Sequence, residues 1–144
     1  MSGAARGVAA LALAAYAGSA AAYCEDRSSM VEIKACLAEV ERRVEVEMAV
    51  VWTAVQQDIA TRYFLQNTQR ARFAAAADRA QAAWAAFREA DCREVTGFEW
   101  WGGSGAGAAI RACRIETTAA RVRDLIRRYD IDESRAPVSV AAGR

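Results

Sequence analysis

Residues 29–59, SMVEIKACLAEVERRVEVEMAVVWTAVQQDI, decide the fold class. Ser29 and Glu32 stand at the spacing of a capping box, in which the serine hydroxyl covers an early amide and the glutamate reaches back to the serine N–H. No glycine or proline interrupts the stretch from Ser29 to Ile59. Ile33, Cys36 or Leu37, Val40, Val44, Met48, Val51, Val55 and Ile59 recur at steps of three and four. That period puts them on one stripe of a helix, the stripe a small domain buries. The charged run Glu39-Val40-Glu41-Arg42-Arg43 reads as a solvated face with local ion pairs.

Downstream, the polar cluster Gln66-Asn67-Thr68-Gln69 breaks this helix and offers Thr68 as the cap of a second, expected from about Arg70 to Arg93. Its apolar face is Phe73, Ala77, Ala80, Trp84 and Phe87, and its many alanines favour helix. Between Thr96 and Gly107 five glycines exclude a regular helix interior and predict the main loop. Helical character resumes near Ala108 and runs to about Tyr129, with Ile110, Cys113, Ile115, Thr118, Val122, Leu125, Ile126 and Tyr129 on its apolar side. Residues 131–144 hold the sole proline, Pro137, among small and charged residues and read as a flexible C-terminal tail. No alternating β-branched pattern and no internal repeat is present. The expected fold is all-α: a small antiparallel three-helix bundle of up-down-up topology with a short N-terminal arm.

The N-terminus carries the pattern of a secretory signal peptide. Arg6 supplies a basic start, Val8 to Ala17 an apolar run, and Gly18-Ser19-Ala20-Ala21-Ala22 small residues for cleavage after Ala22. The expected division is therefore residues 1–22 as signal peptide, 23–130 as one helical domain and 131–144 as tail. The apolar run is too short to span a bilayer, so no stable membrane insertion is expected after cleavage. Tyr23 stands where a lipid-attachment site needs a small residue, which disfavours acylation of Cys24. The expected location is periplasmic or secreted.

Four cysteines remain, Cys24, Cys36, Cys92 and Cys113, and an even count in a short exported chain implies disulfides. In an up-down-up bundle Cys92 and Cys113 lie at one end, on either side of the glycine-rich loop. Pairing them closes a ring of about twenty residues, worth roughly 3 kcal/mol. Cys24 then fastens the arm to the first helix at Cys36. Joining the N-terminal pair to the C-terminal pair stays open, because the start of the first helix lies at the same end. The chain has no histidine and no closely spaced cysteine pair, so neither a metal nor another cofactor is expected.

Hydrophobic residues make up 54% of the chain, but many are alanines that bury little area, so the core is thin and covalent staples matter more. Nineteen basic and 18 acidic residues leave a net charge of +1, interleaved along helices, which argues against nucleic acid as a partner. Catalysis has little support. Without histidine the usual nucleophile-base arrangements are missing, and oxidised cysteines are not nucleophiles. Ser104 reads as a turn residue, and Glu89 and Asp91, two apart on a helix, point to different sides as surface charges. The chain reads as a binding protein and not an enzyme.

Three blocks carry a family resemblance. Ala80-Gln81 with Trp84, Phe87, Arg88 and Cys92 forms an AQ-x-x-W-x-x-[YF]-R-x-x-x-C helix; Gly102-Gly103-Ser104 comes next, in the loop; and Cys113, Thr118, Arg121 and Leu125 form C-x4-T-x2-R-x3-L. Together with the earlier cysteine pair, this order resembles the LprI-like lysozyme-inhibitor family over about Cys24 to Tyr129. The family's L-N-x-x-Y in the first helix is replaced by Met48, Ala49 and Trp52, which keeps the apolar character and loses the asparagine. The resemblance implies an envelope location, a disulfide-bearing helical domain and a protein partner, with lysozyme as the candidate. An envelope protein-binding or structural module without lysozyme inhibition is the alternative.

Gln81, Trp84 and Arg88 occupy successive turns of one helix and, with Thr118 and Arg121, are expected to serve internal structure. The binding candidates are Phe98, Glu99, Trp100, Trp101, Gly102, Gly103 and Ser104, since two adjacent tryptophans on a short loop do not both turn into a small bundle. One ring folding back as a lid over the bundle end is the competing use. On the family reading this tip enters a glycosidase cleft with Glu99 beside it. A near-neutral chain supplies little long-range steering, so affinity rests on shape and burial.

Overall fold

The computed structural model describes residues 23–132. The expected signal peptide, 1–22, and the expected tail from 133 onward lie outside the described residues. Within them the chain is helical and has no strand. The elements are α1 (Met30–Thr61), α2 (Asn67–Glu89), a π-helical turn (Ala90–Val95), a short α3 (Thr96–Glu99) and α4 (Ala106–Tyr129). None of these helices is long and apolar enough to cross a membrane.

The capping box starts α1. The Glu32 amide donates to Ser29 Oγ at 3.2 Å, and the Ser29 amide donates to Glu32 Oε2 at 3.1 Å. These bonds, the Ser29 hydroxyl's foremost, hold the Glu32 carboxyl below its ordinary value of 4.5. The helix stops at Thr61 because the next inward positions after Ile59 are Arg62 and Gln66, which have nothing apolar to bury. Arg62 instead pairs with Asp58 at 2.6 Å, and Arg70 donates to the carbonyls of Leu65 and Arg62 at 2.5 and 3.1 Å. This bracing fixes the α1–α2 connection. The second helix begins earlier than expected: Gln69 Oε1 accepts from the Gln66 amide at 2.9 Å, so Thr68 lies inside α2 and is not its cap.

The core joins α1 to α4. Leu37, Val40, Val44, Met48, Val51, Val55 and Ile59 are buried, against Ile115, Ala119, Val122 and Leu125. From α2 only Ala77 is buried, because an alanine-rich face has little to insert; Phe73 and Trp84 supply the larger contacts. Going up α1, partners on α2 come progressively earlier in the chain. Glu45 meets Arg88, Met48 meets Gln81, Gln56 meets Asp78, and Arg62 lies over Phe73. Partners on α4 come progressively later, from Arg111 at Glu41 to Tyr129 at Arg62.

Cys24 is bonded to Cys36 and Cys92 to Cys113, with Cα separations of 6.1 and 5.4 Å. Ile131 donates its amide to the Ile126 carbonyl at 3.1 Å and packs against the core, so the fold extends through it.

Candidate functional site

The inner face of α2 differs from the one expected. Phe87 and Ala80 are exposed, while Gln81 and Arg88 turn inward with Trp84. The reason is polar chemistry. Arg88 Nη1 donates to Glu45 Oε1 at 2.6 Å and to Thr118 Oγ1 at 2.7 Å, joining all three long helices through one guanidinium. Thr118 is fully buried, so without Arg88 its hydroxyl loses a partner in the interior. The Arg88 and Arg121 guanidinium carbons stand 5.1 and 5.9 Å from the Trp84 ring centroid, within cation–π range. Arg121 Nε donates to Gln81 Oε1 at 3.2 Å and its Nη1 to Asp124 Oδ2 at 3.0 Å. Gln81, Trp84, Arg88, Thr118 and Arg121 thus form one inward cluster.

Next to it lies a set that sequence reading placed on the surface. Glu41 is largely buried and pairs with Arg111 and, at 3.6 Å, with Arg114. Arg114 also takes both Glu89 carboxylate oxygens, at 2.7 and 2.9 Å. Local charge patterning shows the Glu39–Arg42 pair at 2.7 Å, but pairing across helices leaves no mark at any fixed spacing.

Past Arg88 the helix register changes. The Thr96 amide donates to the Asp91 carbonyl, five residues back, which widens the turn. In an uninterrupted α-helix Val95 and Glu99 would continue the inward row. Here Cys92 is fully buried and Thr96 and Gly97 come inward after it, so Val95 is turned out. A Cβ on Gly97 would meet Ile110 Cδ1 at 3.8 Å, which places the backbone of α3 close to α4. Residues 96–99, expected in the loop, are therefore helical, and the irregular segment shrinks to Trp100–Gly105.

Three backbone bonds give that segment a fixed course. Trp101 donates to the Phe98 carbonyl at 3.0 Å, Gly103 to that of Trp100 at 2.9 Å, and Ala106 to that of Gly103 at 2.9 Å. Trp100 folds back over Gly105, where a Cβ would collide with its six-membered ring. Trp101 does the opposite. It is 91% exposed, and its φ of 46° lies in the left-handed region, with Gly102 next at 68°. A left-handed backbone costs a non-glycine residue on the order of 1–2 kcal/mol, and this tryptophan recovers nothing through burial. Phe98 and Glu99 are exposed beside it.

The family model of the lysozyme inhibitor LprI matches residues 23–125. The chain belongs to the lysozyme inhibitor LprI family. No curated protein and no solved structure matches it. The blocks resembling this family divide spatially: Gln81, Trp84, Arg88, Thr118 and Arg121 meet inside, whereas Gly102, Gly103 and Ser104 lie on the exposed turn after Trp101. Position 49, where Ala49 stands in place of asparagine, faces solvent on α1, so nothing in the packing depends on it. Ligand atoms of Asp91, Cys92 and Cys113 lie within 4.8 Å of one another, but both sulfurs are already committed to their disulfide.

Proposed function

We propose that this member of the lysozyme inhibitor LprI family binds a lysozyme and blocks its cleft with the segment Phe98–Ser104, without catalysis of its own. The observation that carries the reading is Trp101, fully presented to solvent on a backbone conformation that works against stability. Strained, exposed residues persist where a function requires their direction. Trp101 is the anchor that enters the cleft, with Phe98 and Glu99 at its flank, while Trp100, Gly102, Gly103 and Ser104 shape the turn. Gln81, Trp84, Arg88, Thr118 and Arg121 hold the helices on which the segment stands.

The family and the two disulfides support an extracytoplasmic location, periplasmic or secreted, with residues 1–22 as a cleaved leader, 23–130 as the inhibitor domain and 131–144 as a tail. The opposed order of contacts along α1 and α2 supports an antiparallel three-helix bundle, with Tyr23 to Ser28 as an arm tied down by Cys24.

The test is lysis of bacterial cells by lysozyme in the presence of the purified mature protein. Inhibition by the wild type that disappears in Trp101→Ala, with unchanged folding, is the expected result. Equal inhibition by wild type and Trp101→Ala removes the loop from the mechanism. No inhibition of any lysozyme leaves an envelope protein-binding or structural role in its place.

A further inference from the structure

The π-turn also rearranges the outer side of the molecule. Phe87 and Val95 are separated by one ordinary turn and one widened turn, so they fall on the same outward line. Phe98 comes one turn after Val95. Phe87, Val95 and Phe98 are 59%, 53% and 76% exposed, and Trp101 continues beyond them. With regular α geometry throughout, Val95 would rotate inward and the row would be broken. Single exposed apolar residues are ordinary, but a row of them ending at a strained tryptophan is a surface built for contact.

Charge identifies what covers it. Glu94 and Glu99 are exposed among the apolar residues along this ridge and have no hydrogen bond or ion pair among the described residues, whereas Asp91 is half-buried with its carboxylate beside the Cys92–Cys113 sulfurs. Of the two cations within the stretch, Arg88 turns inward onto Glu45 and Arg93 lies 3.7 Å from Glu89. On the inner side of the same helix the carboxylate of Glu89 is taken up by Arg114. The ridge therefore presents apolar side chains in a locally negative field, although the whole chain is nearly neutral.

We infer that the ridge from Phe87 to Phe98 is a second contact strip, and that the partner it fits is a cationic protein whose positive charge borders an apolar cleft wall. This rests on the lysozyme reading and deepens it: Trp101 fills the cleft, the ridge lies along its wall, and the free carboxylates select a basic lysozyme over a neutral one. It also changes the expectation from net charge, because steering depends on the local field at the approaching face.

The experiment measures association and dissociation of the full mature protein with a basic lysozyme, and with the same lysozyme after acetylation of its lysines. Four forms are compared: wild type, Phe87→Ser/Val95→Thr, Glu94→Gln/Glu99→Gln, and Trp101→Ala. All substituted positions are surface ones, and circular dichroism confirms folding. The ridge pair is expected to weaken binding about tenfold through faster dissociation. The carboxylate pair Glu94→Gln/Glu99→Gln is expected to slow association about tenfold at low salt, and to match wild type at high salt or with acetylated lysozyme. If both variants bind as wild type does while Trp101→Ala does not, the ridge is overturned and the loop reading stands. If wild type itself binds neither lysozyme, the loop reading fails, and the ridge with it.

Discussion

Trp84 and Trp101 sit on the two ends of one continuous run of helix and turn, and they are held in opposite ways. Trp84 lies on the inner face of α2 between the guanidiniums of Arg88 and Arg121, whose heads are fixed by Glu45, Thr118, Gln81 and Asp124. Trp101 touches little, and its backbone is strained. One ring gives stability to a helical fold short of large aliphatic residues; the other takes stability away from it. The difference separates a fold made of cross-helix contacts from a proposed site made of one exposed turn, and it can be broken from either side.

The largest expected effect is on the inner ring. Trp84→Ala removes its contacts with both arginines and should destabilise the protein by about 3 kcal/mol, the lower end for a large aromatic because the site is not fully buried. Urea denaturation reads this, while lysozyme affinity of the folded fraction should stay at the wild-type value. Trp101→Ala should reverse the pattern: stability within about 0.5 kcal/mol, and affinity reduced by about thirtyfold or more, as expected of a central anchor. Equal effects of the two substitutions on both quantities would erase the distinction.

Arg88→Ala should cost about 2 kcal/mol of stability, since it leaves the buried Thr118 hydroxyl and the Glu45 carboxylate without their shared donor. Arg88→Met, which restores the apolar stem, should recover part of the loss. A smaller effect is expected at the opposite end. Ser29→Ala should cost about 1 kcal/mol by removing the α1 cap. The same cap gives a pH dependence. Because the folded Glu32 carboxyl titrates below its ordinary value of 4.5, its contribution is complete above that pH and disappears as the pH falls through the folded value. The protection of the Glu32 amide, taken as exchange relative to its intrinsic rate at each pH, should therefore fall as the pH drops below 4.5, ahead of the rest of the helix.

The capping box, the α1 stripe and the α4 stripe were legible because each is written in local spacing, and the structure buries Val40, Val44, Val51, Val55, Ile59, Ile115, Val122 and Leu125 accordingly. The inner face of α2 lies one position away from the one hydropathy indicates. Hydropathy places Phe87 inside and Arg88 outside, but the orientation is set by where the arginine finds Glu45 and Thr118, and those partners are 43 and 30 residues away in sequence. The π-turn was not legible either. No residue type marks it, and the glycines suggested a longer loop than the one that forms. The candidate binding segment was legible as composition, two tryptophans beside glycines. Which ring folds back and which projects was settled only by the backbone at Trp101 and the space over Gly105.

The most direct test of the proposed loop is Trp101→Gly, measured in one preparation for both unfolding free energy and lysozyme inhibition. Glycine accepts a positive φ without strain, so the account predicts a gain in stability of about 1 kcal/mol together with loss of inhibition. Retained inhibition, or a protein less stable than wild type, would contradict it.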